Sequence, residues 1–167
     1  MGNDDLEHVS VRSGWALRVL TELPEQQQQQ QEIVAAVDLL EKIIGAAAAH
    51  SWVDASSNDN GVSIYVLAEG LLYRLSATAR SALRFPDDPD AGIVKAVCWT
   101  IRPDDQYTLS VEYSGNPASR PVTTQRWAFT LDRQKERLGI VVEAEQPGAE
   151  FALQFAKEID RVRRSGA

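Results

Sequence analysis

The sequence predicts an α+β protein: an N-terminal helical hairpin, then an antiparallel sheet or barrel of six to seven strands, closed by a C-terminal amphipathic helix. Three observations carry this expectation. Up to about His50, apolar residues recur every three or four positions, the spacing of one helix face. Past the turn-forming stretch "SSNDNG", Ser56 to Gly61, the period changes to two, as on a half-buried strand. After Pro147-Gly148 the helical spacing returns. The chain thus divides into a helical region, 1–57, and a β region with its closing helix, 58–167, which together form one compact unit.

In "SGWALRVLTEL", Trp15, Val19 and Leu23 fall four apart, and Pro24 suits the first turn of a second helix, where its missing N–H is not needed. The second arm takes in the glutamine run, Gln26 to Gln31, and "EIVAAVDLLEKIIGAAAAH". There Ile33, Val37, Leu40, Ile44 and Ala47 alternate in steps of four and three, the a and d spacing of a coiled coil. These residues are the candidate partner-binding face, a seam for a homodimer. Packing against the first arm or the sheet is the plainer use of the same spacing. Gly45 weakens the last turn.

Val62 to Ala68 and Leu71 to Ala77 are apolar runs on either side of Glu69-Gly70, which reads as a hairpin whose positive-φ position falls on glycine. Ile93 to Ile101 is apolar on both faces apart from Lys95, which places it centrally in the sheet and makes Cys98 a buried thiol. Tyr107, Leu109, Val111 and Tyr113 face one way, with Thr108, Ser110 and Glu112 toward water. Trp127, Phe129 and Leu131 share one face of the next strand, and Leu138, Ile140 and Val142 share one face of the last. Phe151, Phe155, Ile159 and Val162 form the inner stripe of the closing helix, and Arg161, Arg163 and Arg164 complement its C-terminal dipole. Short polar turns argue against parallel βαβ units.

Composition sets limits on function. A chain of 167 residues buries roughly 70 % of its unfolded surface, so it needs no metal or disulfide staple. The net charge of -7 repels a polyphosphate backbone and an anionic bilayer, so neither nucleic acid binding nor membrane insertion is expected. Cys98 is the sole cysteine and cannot form an internal disulfide, which favours the reducing cytoplasm. "MGNDDLEHVS" has neither the basic start nor the apolar core of a secretory signal.

Chemistry-bearing patterns are sparse. His50, Ser51 and Asp54 hold the residue types of a nucleophilic triad, but a triad is defined by geometry. "SSNDNGVSIYVL" resembles a calcium loop only at Asn58, Asn60 and Gly61; Ser56 and Leu67 stand where carboxylates are needed. Asp87, Asp88 and Asp90 read as a solvated turn. No pair of Cys and His has zinc spacing, and neither phosphate-binding glycine motifs nor a nucleophile elbow occur. No catalytic residue, metal or cofactor is expected. Arg133, Lys135 and Arg137 make one compact cationic loop, the candidate anion contact, with Asp132 and Glu136 interleaved. Trp99, Trp127, Phe129, Tyr107 and Tyr113 read as core, with a ligand pocket as the alternative.

From Val62 to Arg164 the element order resembles that of pleckstrin-homology-like barrels, in which a terminal helix plugs an open end of two nearly orthogonal sheets. The resemblance is one of topology. Ala68-Glu69-Gly70 lacks the Lys and Arg that phosphoinositide-binding members carry in that loop, and the closing helix has no tryptophan, so the resemblance does not extend to lipid headgroups. The competing fold is a cone-shaped, curved sheet wrapped by helices. Three functions fit: a non-catalytic cytoplasmic interaction module that self-associates through its N-terminal helix, a small-ligand binder or enzyme with a pocket in a curved sheet, and an acidic inhibitor or immunity-type protein that blocks a basic partner.

Overall fold

A computed structural model describes residues 12–24, 31–45, 49–54, 61–78, 94–114, 124–133, 137–143 and 147–166. The order of elements is α1 (Gly14–Glu22), α2 (Gln31–Ile44), β1 (His50–Asp54), β2 (Gly61–Ala68), β3 (Leu71–Thr78), β4 (Lys95–Thr100), β5 (Gln106–Ser114), β6 (Thr124–Asp132), β7 (Arg137–Glu143) and α3 (Pro147–Ser165). The protein is α+β with a C-terminal helix, and every strand pair is antiparallel.

The strands form two separate meanders, β1-β2-β3-β4 and β5-β6-β7. They do not close into a barrel, which corrects that form of the expectation: β4 pairs with β3 alone and β5 with β6 alone. The physical reason is the position of α3. Phe151, Phe155 and Ile159 of this helix fill a core shared by Trp52, Tyr65, Leu67 and Leu72 of the first sheet and Phe129 and Leu131 of the second. Phe129 and Phe155 rings lie 4.7 Å apart, and Trp52 stacks on Tyr65 at 5.2 Å. The helix thus lies between the sheets as their common filling.

The other face of the first sheet carries a second core. Val62, Ile64, Val66 and Leu75 pack there against Trp15, Ala16, Val19 and Leu23 of the α1 region and Ile33, Val37 and Leu40 of α2. This explains why β2 is apolar at successive positions: alternate side chains enter different cores, and both are covered. The helices run antiparallel. Arg12 pairs with Asp38 at 2.7 Å, the Ser13 N–H at the start of α1 donates to the Glu41 carboxylate, and Trp15 Nε1 donates to the Gly45 carbonyl at 3.4 Å. The Ser13 N–H holds the Glu41 carboxyl below its ordinary value. Gly45, at φ 72°, ends α2 with its N–H bonded to the Glu41 carbonyl at 2.8 Å.

Two local expectations need correction. His50, which the spacing puts at the end of the second helical arm, instead opens β1, paired with β2 from His50 opposite Leu67 to Asp54 opposite Ser63. The run Ile93 to Ile101 was expected at the centre of the sheet, yet β4 is an edge strand, exposed from Lys95 to Cys98. Trp99 packs at the margin of the core around α3, while Lys95 to Cys98 lie past the layers that cover the sheet. Cys98 is accordingly an exposed thiol.

The hairpin joining β2 and β3 has positive φ at both turn residues, 46° at Glu69 and 80° at Gly70, the pattern of a type I′ turn. Its tip lies against α3, where Gly70 sits beside Glu158, Arg161 and Val162 and helps to hold the Glu158 carboxyl low. Arg161 bonds the same carboxylate at 2.6 and 2.8 Å and is the main cause of its lowered pKa. Gly70 also accepts from the Ile101 N–H at 2.8 Å.

Glu69 adopts a backbone conformation that costs most L-residues about 1 kcal/mol or more and that asparagine tolerates. Glu69→Asn is therefore expected to raise the unfolding free energy by about 1 kcal/mol in urea titrations. Glu158 has a folded pKa below its ordinary 4.5. Its contribution is present above that value and lost as pH falls through the folded value. Glu158→Gln should flatten the acid limb of a stability-versus-pH curve and leave its alkaline limb in place.

Candidate interaction surface

The expected seam on α2 lies inside the chain's own core. Ile33, Val37 and Leu40 are 1 %, 0 % and 4 % exposed against α1 and the first sheet, and Ile44 packs at the margin of the same cluster. Ala47 lies outside the described residues. Yet α2 has a second apolar flank that the fold leaves uncovered, since Leu39 and Ile43 are each 60 % exposed. At about 100° per residue these two project nearly opposite to Asp38 and Glu41, the residues that reach α1. The sequence carried the signal in Leu39-Leu40 and Ile43-Ile44, adjacent apolar pairs four apart. A heptad reading selects one member of each pair and passes over the other.

Because α1 packs on β1 and α2 lies beside α1, the free flank of α2 is turned toward the β4 side of the sheet. There, among the described residues, no strand pairs with the outer edge of β4. The Ile101 N–H bonds the Gly70 carbonyl, and Ile101 and Gly70 continue the β3–β4 register of Thr100 opposite Leu71. In an antiparallel ladder, hydrogen-bonded and non-hydrogen-bonded pairs alternate. Residues 95, 97 and 99 therefore bond β3, while the N–H and C=O groups of Ala96, Cys98 and Thr100 point to the edge, where the Thr100 carbonyl is taken by Arg133. Val97 adds an apolar side chain that is 46 % exposed. Opposite Cys98 stands Tyr73, whose phenol is pushed above its ordinary value by burial and by the neighbouring thiol.

The candidate anion contact divides differently. Arg133 turns inward: its Nε and Nη2 donate to the two Asp105 carboxylate oxygens at 2.8 and 2.7 Å, and Nη2 also donates to the Thr100 carbonyl. Asp105, 3 % exposed, further accepts from the Arg102 N–H at 2.8 Å, and its carbonyl accepts from Arg163 at 2.8 Å. Arg133, just past the end of β6, and Arg163 of α3 thus clamp the corner between β4 and β5. Lys135 lies outside the described residues, and only the backbone of Arg137 is described, in β7 opposite Asp132. Removing one partner of a buried ion pair costs about 3–5 kcal/mol. Asp105→Ala is expected to lower the unfolding free energy by that amount in denaturant titrations.

His50, Ser51 and Asp54 do not converge, because neighbours on a strand project to opposite faces. Ser51 lies on the Val53 side toward the helical core, and His50 on the Trp52 side, near enough to Glu158 to favour its charged form. A cavity of about 30 Å³ beside β1, lined in part by Arg18, Glu22, Ser51 and Glu150, has room for about two waters and no substrate. Burial pushes the Glu22 carboxyl up there. On α3, an open groove of about 500 Å³ is lined by Lys157, Asp160, Arg161, Arg164 and Ser165, a mixture of both signs. Among the described residues no cluster of His, Cys, Asp or Glu is placed to hold a metal ion, and no helix is long and apolar enough to cross a membrane.

No family model matches the chain, and no curated protein or solved structure matches it.

Proposed function

We propose that the protein is a cytoplasmic interaction module that acts by contact rather than by catalysis, and that it presents the outer flank of α2 and the neighbouring edge of the sheet to a protein partner. The observation that carries this reading is the exposure of Leu39 and Ile43 on a helix whose other apolar face is already committed to the core. A helix that only covers a sheet needs one apolar face. A second one, beside an open strand edge, gives a partner both side-chain contacts and main-chain hydrogen bonds. The exposed thiol of Cys98 suits a reducing compartment.

A photo-crosslinking residue placed at Leu39, compared with one at exposed Lys157 on α3, tests this in cells that express the protein. A discrete protein adduct at Leu39 and none at Lys157 is the expected result; equal or no adducts at the two positions would overturn the reading. The double substitution Leu39→Glu with Ile43→Glu should abolish binding of the captured partner and change the unfolding free energy by no more than about 0.5 kcal/mol, as surface changes do. A loss of stability comparable to a core substitution would place these side chains in the fold rather than in a contact.

A further inference from the structure

We propose that the partner is a second copy of this chain, joined edge to edge by antiparallel pairing of β4 centred on Cys98; this rests on the reading of the protein as an interaction module and names the partner. Two copies related by a two-fold axis perpendicular to the sheet pair antiparallel, each residue opposite one of the other copy. Directly opposed residues must lie on the same face of the joined sheet, and such an axis preserves faces. Residues of unlike parity, such as Val97 and Cys98, therefore cannot oppose each other. The pairing must centre on a single residue that faces its own copy.

The free backbone groups and the side chains together select that residue. Ala96, Cys98 and Thr100 point their N–H and C=O groups outward. Centred on Cys98, all three fall into hydrogen-bonded positions: Cys98 faces the partner's Cys98, Ala96 faces the partner's Thr100, and Thr100 faces the partner's Ala96. The Cys98 pair exchanges two N–H···O bonds and each Thr100 N–H donates to the partner's Ala96 carbonyl, about four in all, since the Thr100 carbonyl already accepts from Arg133. Centred on Val97, Ala96 and the partner's Cys98 would exchange bonds instead, but Thr100 would face the partner's Val94, beyond the end of the strand.

The side chains agree with the same register. Val97, 46 % exposed, comes opposite the partner's Trp99, an aliphatic and aromatic pair of the kind that stabilises neighbouring strands. Lys95 carries the only charge in β4, the usual guard of a free edge. In this register it lies opposite the partner's Ile101, and the two lysines sit at opposite ends of the joint. A foreign extended segment would gain the main-chain bonds but would have no reason to match this arrangement.

Area decides whether the strand suffices. An edge of six residues is about 20 Å long and covers only part of the roughly 800 Å² per partner that a stable interface requires. The α2 flank supplies more. It lies on the Cys98 face of the sheet and is turned toward the same edge, so the two-fold axis brings Leu39 and Ile43 of both copies toward each other over a continuous eight-stranded sheet.

Sedimentation equilibrium from about 1 μM to about 1 mM, the span in which weak to moderate dimers dissociate, should give twice the chain mass at the upper end. Cys98→Pro is the discriminating variant. Its lost N–H points away from β3, so the intramolecular ladder stays intact and only the outward bonds go. It should remain monomeric throughout with the parent's circular dichroism. Should it fail to fold, Val97→Lys decides, with an expected rise in the dimer dissociation constant of tenfold or more. A parent that stays monomeric over the whole range overturns the proposal, as does a dimer that survives the folded variants. A monomeric parent whose Leu39 crosslinker still captures another protein would assign the edge to that protein, overturning the dimer and leaving the interaction reading standing; loss of the Leu39 adduct itself would remove that reading.

Discussion

The insertion of α3 between two unconnected sheets is the constraint from which the rest of the architecture follows. Phe151, Phe155 and Ile159 take contacts from both sheets, and each sheet would otherwise present an aromatic or aliphatic face to water. Burying one such side chain contributes about 1.5–3 kcal/mol. Holding the sheets apart on either side of a helix also excludes a continuous ladder between them. That is why β4 and β5, adjacent in sequence, are not paired in space.

A pair of sheets without a shared ladder needs another device to fix the angle at which they meet. The corner at residues 101–105 provides it through the fully bonded Asp105 carboxylate, which gathers a backbone N–H from its own turn and the Arg133 guanidinium from β6. Arg163 and Tyr107 extend the network to α3, the latter by a 3.1 Å bond to Asp160. Buried ion pairs add little net stability relative to apolar packing, but they are specific in direction. Here that directionality sets the sheet-to-helix geometry, which apolar contacts alone define loosely.

Much of this was legible in the sequence. The hairpin at Glu69-Gly70 and the phenylalanine stripe of α3 appear where the spacing placed them, while the change from helix to strand comes earlier than expected, at His50. These signals are local, and hydrophobic spacing reports them directly. Three features were hidden because they depend on which layer ends where. Strand β1 is too short for its alternation to register, and Trp52 and Val53 go to different cores. Strand β4 is apolar like a central strand but lies beyond the helical cover. The seam residues Ile33, Val37 and Leu40 read correctly as a packing face, though spacing alone does not say that the surface they meet belongs to the same chain. For the candidate surface, the composition of α2 and β4 was visible, while their exposure was a property of the assembled layers.

The order in which the chain is made gives the central helix a further significance. Every strand that α3 covers leaves the ribosome before α3 does, so Trp52, Tyr65, Leu67 and Leu72 form an uncovered aromatic and aliphatic face during synthesis. Nascent chains with such faces and open strand edges are the ones that stick to one another. The interval between completion of the first sheet and arrival of residue 147 is thus the period of greatest vulnerability for this molecule, and the stage at which a cellular chaperone has the most to shield.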